Sequence, residues 1–172
     1  DSDALFDPLV AEELERFGRM SFGRRSQMLK HWATFGAALP QASLRLVWLT
    51  LELRTAPPDE QLPSVWWVDP NSSTHGTWRG CLYTAVPIVE AVARWCSEAR
   101  GDALDLLWAM GRELPLESSH ASEGHPWTAI SRIFAFHPHE RGSRIQDGLG
   151  WLERLSRRPE FVIELDRNSL VL

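Results

Sequence analysis

Apolar residues recur along the chain every three or four positions, in seven blocks set apart by proline, glycine or polar clusters. The clearest block is 102–114, where Leu104, Leu107, Trp108, Gly111 and Leu114 fall at offsets 0, 3, 4, 7 and 10. That spacing draws one face of a helix with 3.6 residues per turn. Asp102 is placed to cap it through its carboxylate, and Pro115, lacking an N–H, ends it. A second helix opens at Pro126, a residue suited to the first helical position. It carries Trp127, Ile130, Ile133, Phe134 and His137, and it stops before Pro138. Residues 143–158 give a third, with Ile145, Leu149, Leu152 and Leu155 on one side, Trp151 beside them and arginines in the last turn.

The upstream blocks follow the same rule. Leu5, Leu9, Leu14 and Phe17 mark a helix over 4–17 whose firm start falls near Pro8. Met28, Leu29, Trp32, Phe35 and Leu39 mark another over 21–38. Pro40 begins a third, in which Leu44, Val47, Trp48 and Leu51 are joined by Leu46, Leu49 and Leu53. A helix apolar over most of its circumference is expected at the centre of the fold. Residues 79–99 resume the pattern with Leu82, Ala85, Val86, Val89, Val92, Ala93 and Cys96, and Pro87 inside it implies a kink or two shorter helices.

Between these blocks, residues 55–78 form an irregular loop. It starts with three prolines in seven residues and continues through SVWWVDPNSSTHGTW, where 65–68 could form a short strand. The C-terminal run 161–165 reads equally as a strand or as the first turn of a further helix. Helices of this length are marginal alone in water, so they must press their stripes together, and short turns favour antiparallel neighbours. The expected fold is all-α: one domain of antiparallel helical hairpins over residues 1–172. With no initial Met and no cap after Ser-Leu-Val-Leu, it reads as a fragment of a longer protein.

Composition narrows this picture further. A formal charge of −5 excludes a general nucleic-acid binder, which would be clearly basic. Arginines 16, 19, 24 and 25 make a local basic cluster, read as a solvated face and helix-end charge ahead of a phosphate or acidic-partner patch. Cys81 and Cys96 would stand about 22 Å apart on one helix, beyond disulfide reach, and unpaired thiols suit a reducing, cytoplasmic setting. No run approaches the length of a membrane span.

The stretch ALDLLWAMGRELP, followed by GHPWTAISRIFAFHP and QDGLGWLERLSRRP, resembles the HEAT-like helical arrays found downstream of nucleotide-binding modules in some large bacterial signalling or defence proteins. The resemblance covers about 102–159, rests on packing motifs, and places Trp108 and Trp151 43 residues apart, within the period of such units. It implies a short HEAT-like α-solenoid that senses or scaffolds, and it transfers no functional residue.

The chain carries no glycine-rich phosphate loop, nucleophile elbow or zinc motif, so no catalytic, cofactor-binding or metal-ligating residue is assigned. His120 and His125 precede the helix that His137 and His139 follow, and its length holds the two pairs roughly 18 Å apart. Trp66, Trp67, His75 and Trp78, on or beside the irregular loop, are the candidate partner-binding residues, because exposed aromatic rings make strong anchors. The expected function is a non-enzymatic scaffold or sensor region contacting another protein or another part of its own chain. The alternative is a small hydrolase or metal-dependent enzyme built on the histidine-bearing loops.

Overall fold

A computed structural model of the chain describes residues 2–58, 76–114 and 124–140. The expected helix over 143–158, the strand candidates at 65–68 and 161–165, and Trp66, Trp67 and His75 lie outside the described residues. Among the described residues all regular structure is helical: α1 (Ser2–Gly18), α2 (Phe22–Trp32), a short 3-10 turn (Gly36–Ala38), α3 (Pro40–Glu52), α4 (Trp78–Trp95), α5 (Arg100–Glu113) and α6 (Pro126–Phe136). None of these helices is long and apolar enough to cross a membrane.

The helix boundaries follow from local chemistry. Ser21 caps α2 by accepting from the Arg24 amide, and Thr77 caps α4 by accepting from that of Gly80. Pro126 occupies the first turn of α6, behind His125, whose Nδ1 accepts from the Trp127 amide. Three expectations change. First, α1 begins at Ser2 and runs through Pro8 instead of starting there. Second, α5 begins at Arg100, one turn after Cys96, so Asp102 lies inside its first turn. There Asp102 faces the positive end of the helix dipole instead of capping it. Third, the block over 21–38 breaks after Trp32. Trp32 Nε1 donates to Ser43 Oγ at 2.8 Å, and that hydroxyl donates to the Gly36 carbonyl at 2.7 Å, so the chain folds back onto α3. A Cβ at Gly36 would sit 3.1 Å from Ile88 Cγ2, which ties the 3-10 turn closely to α4.

The centre of the described fold is α4, not α3. It packs against α2, α3, α5 and α6 and buries Cys81, Leu82, Ala85, Val86, Ile88, Val89, Val92 and Ala93. Pro87 faces solvent within a helix that stays continuous. In α3, by contrast, Gln41, Arg45, Trp48 and Glu52 at offsets 0, 4, 7 and 11 form an exposed stripe. Leucines at 46 and 49 lend α3 its apolar look, yet one side remains wet.

Cross-helix bonds give the directions. Cys81 Sγ donates to the Phe22 carbonyl and Cys96 Sγ to that of Ala37, both at 3.2 Å and both across 59 residues. A constant offset means that α2 and α4 run the same way. Between α4 and α6, Arg132 grips Glu90 across 42 residues and His137 reaches the Arg94 carbonyl across 43, so α6 runs parallel to α4. At the far ends of α3 and α5, Arg54 pairs with Glu113. Trp78, at the start of α4, donates to the Thr50 carbonyl near the end of α3, so those two helices are opposed.

Candidate functional site

The parallel course of α2, α4 and α6 brings their C-terminal ends to one edge of the molecule. Two bonds lace this edge together: Cys96 Sγ to the Ala37 carbonyl behind α2, and His137 Nε2 to the Arg94 carbonyl at 3.2 Å. Each of these ends carries an exposed aromatic ring. Phe35 follows α2 and is 43 % exposed, Trp95 closes α4 at 73 %, and Phe136 closes α6 at 59 %. Among the described residues only Trp48 joins them as an exposed large apolar side chain.

Chemistry holds these rings outward. The Phe35 ring rests on Trp32 with centroids 5.0 Å apart. The Arg94 guanidinium lies 4.2 Å from the Phe136 ring centre and 5.5 Å from that of Trp95, so one cation bridges two rings. Beneath them Arg100, 7 % exposed, donates from Nε to the Ala93 carbonyl at 2.7 Å and stands 3.7 Å from Glu140. The ends of α4 and α6 are therefore tied from inside as well as at the surface. Lys30 and His31 in the last turn of α2, with Arg94 in that of α4, give the edge a basic flank.

Of the candidate partner residues, Trp78 is the one described. Its indole donates to the Thr50 carbonyl at 2.9 Å, and the Arg54 guanidinium covers its ring at 4.6 Å. Half-buried, it fastens the start of α4 to the end of α3.

Two of the described histidines, His125 and His137, join helix ends. His125 is fully buried. With Nδ1 accepting from the Trp127 amide, its Nε2 carries the proton and faces the Leu114 carbonyl at 3.5 Å. It thus joins the end of α5 to the start of α6. His139 stands 3.7 Å from Glu140, which also faces Arg100. Among the described residues no group of three His, Cys, Asp or Glu side chains is placed to hold a metal ion. The enzyme alternative calls for at least two of Asp69, His75, His120, His125, His137 and Glu140 to converge, and Asp69, His75 and His120 lie outside the described residues.

The four arginines of the basic cluster part company. Arg16 pairs with Glu13 and Arg19 with Glu15, while Arg25 is buried. Arg25 donates to the carbonyls of Phe17, Gly18 and Leu53 and lies 5.5 and 5.2 Å from the ring centres of Phe17 and Phe22. Burial pushes its guanidinium below the usual arginine range, offset in part by the Cys81 thiol.

The sequence did hold a partial signal for the aromatic edge: Trp95 and Phe136 stand directly before the ends of their helices, and Phe35 precedes Gly36 three residues after the end of α2. Only the parallel register shows that the three belong to one surface. No family model, curated protein or solved structure matches the chain.

Proposed function

We propose that the chain is a segment of a HEAT-like helical array, a scaffold without bond-making chemistry that holds a protein partner along the edge of Phe35, Trp95 and Phe136. The observation that carries this reading is the register. Bonds from α4 to α6 span 42 and 43 residues, the spacing that also separates Trp108 from Trp151 in the sequence. Bonds from α2 to α4 span 59. The longer step contains the 25 residues 53–77 between α3 and α4, a connection with room for an insertion into one unit.

The contacts fit such an array. Substantial contacts between the described helices join immediate or next-but-one neighbours, α1 with α3, α2 with α4, α3 with α5 and α4 with α6 among them. Stacked units that touch only their neighbours have that order. Insertions into one unit of an array map to loops on a single face, often the binding face. That keeps Trp66, Trp67 and His75 as candidate contacts beside Trp78.

The partner fitted by the aromatic edge is an amphipathic protein segment with apolar anchors and an acidic flank, set against Lys30, His31 and Arg94. Aromatic and arginine side chains dominate such contacts. The test places a photo-reactive phenylalanine analogue at position 95, at 136 and, as a control, at exposed Gln41 in the full chain within its own cell. Crosslinks from 95 and 136 to one acidic, apolar segment, absent at 41, are expected. Labelling that is equal at the three positions, or absent from 95 and 136, overturns the proposal.

A further inference from the structure

The joint between α5 and α6 turns on His125, which is 0 % exposed between the end of one helix and the start of the next. Its Nδ1 accepts from the Trp127 amide at 3.2 Å, the capping bond of α6, and its Nε2 faces the Leu114 carbonyl at 3.5 Å. We infer that this histidine is an acid-sensitive latch: the closed joint admits only the neutral ring, so mildly acidic pH opens the start of α6.

Three features of the geometry oppose a second proton. A protonated ring carries N–H groups on both nitrogens. The added one would sit on Nδ1 and point at the Trp127 N–H, so two donors would meet where the cap now holds. The first turn of α6 also presents the positive end of the helix dipole, which disfavours a cation at that position. Finally, the ring is enclosed, and a charge costs more there than in water. The Leu114 carbonyl meets an N–H in either form, so the loss falls on the α6 side of the joint.

Among the described residues, α4 turns Tyr83 toward the imidazole with ring centres 6.3 Å apart, and this phenol stays uncharged below about pH 10. The Trp127 indole of α6 lies 5.2 Å away. Glu113, beside Leu114 in sequence at the end of α5, is held by Arg54 at 2.9 Å. His137 is built differently, because it reaches the Arg94 carbonyl through Nε2, a bond that the charged ring also makes. His139 is exposed and stands beside Glu140. Protons on those two rings leave their contacts in place.

A histidine in open chain takes up its proton near about pH 6.5. The open joint binds that proton and the closed one does not. Closure is therefore at full strength above this pH and weakens as pH falls below it, by about tenfold per pH unit. The latch is independent of the aromatic edge and of the array reading.

Nitrogen NMR of the labelled histidine rings in the full chain, from about pH 8 to about pH 5, tests it together with amide hydrogen exchange across α6. The His125 Nδ1 resonance should keep the position of an unprotonated nitrogen for as long as the α6 amides stay protected. Opening of the first turn of α6, corrected for the intrinsic exchange rate, should be flat above about pH 6.5 and rise about tenfold per unit below it. His125→Asn, whose amide oxygen can cap a helix without titrating, should remove that rise, and His139→Gln should keep it. A charged His125 ring within a still-protected α6 overturns the inference. So does opening that stays flat down to about pH 5, or a rise that His125→Asn retains.

Discussion

Arg25 fastens the corner where α1, α2 and the end of α3 meet. Its three carbonyl partners belong to the ends of α1 and α3, whose last carbonyls have no partners within their own helices. Arg25→Met keeps the stem and takes the donor from the Gly18 and Leu53 carbonyls, while that of Phe17 still accepts from the Met20 amide. It should lower unfolding stability by about 2–4 kcal/mol in urea titrations, as unsatisfied buried groups do. Arg25→Lys should recover only part of this, because one ammonium cannot span three diverging acceptors. The sequence held a signal here: Arg25, Leu29 and Trp32 stand at offsets 0, 4 and 7, so Arg25 shares the buried stripe while Arg24 does not. Charge alone hides that difference.

Gly111 is a second residue whose role depends on a neighbour distant in the chain. A Cβ there would meet Trp127, lying 2.5 Å from Cδ1 and 2.8 Å from Cε2 of the indole. Gly to Ala inside an exposed helix gains about 1 kcal/mol. Here the sign should reverse, with Gly111→Ala costing about 1–3 kcal/mol as overpacking does. A rise in thermal midpoint for this variant would contradict the close approach. Trp108, expected in the core, is half-buried and stacks on Trp127 with centroids 6.2 Å apart. Trp127, 3 % exposed, is therefore the costlier truncation, about 3–5 kcal/mol for Trp127→Ala and less for Trp108→Ala.

At the scale of elements, α4 and α6 are joined by the two bonds from Arg132 to Glu90, at 2.8 and 2.7 Å. Glu90's hydrogen bond raises the arginine above its ordinary value, against a smaller opposing effect of burial. A base raised in the folded state contributes stability below its unfolded value and loses it only as pH climbs past the folded one. The pair should therefore contribute constantly through neutral and mildly alkaline pH. Arg132 is 40 % exposed, so water and salt screen the bond. A double-mutant cycle on Glu90→Gln and Arg132→Gln should give a coupling of about 1 kcal/mol that shrinks with added salt.

The helices themselves were legible because their stripes are regular and proline marks several starts. Which helix sits at the centre was not. Both α3 and α4 look apolar all round, and the deciding feature is the exposed line of Gln41, Arg45 and Glu52, interrupted by Trp48. A tryptophan on a wet face misleads any reading of polarity by residue type. The break after Trp32 was also hidden, because it depends on Ser43, a residue of the next helix.

At the scale of the molecule, burial among the described residues is greatest along α4, and the hydrophobic core spreads outward from it. Hydrogen exchange in the native state should show the strongest protection in α4 and weaker protection in α1, since opening an end helix leaves the other described contacts intact. Protection strongest in α1 would contradict this order. Trp95→Ser and Phe136→Ser, on the exposed edge, should each leave stability within about 0.5 kcal/mol of the parent. The aromatic edge was not legible as one surface because its rings are 60 and 41 residues apart in sequence. They come together only when the unequal steps of 59 and 42 residues are laid side by side.

The two thiols, neither in a disulfide, mark opposite ends of the seam between α2 and α4, and neither can reach the other. They therefore act as a pair of built-in clocks for how that seam unzips. Alkylation at Cys96, the less enclosed of the two, should run ahead, while Cys81 should stay silent until the seam opens along its whole length. The delay between them measures whether α2 peels away from one end or departs all at once.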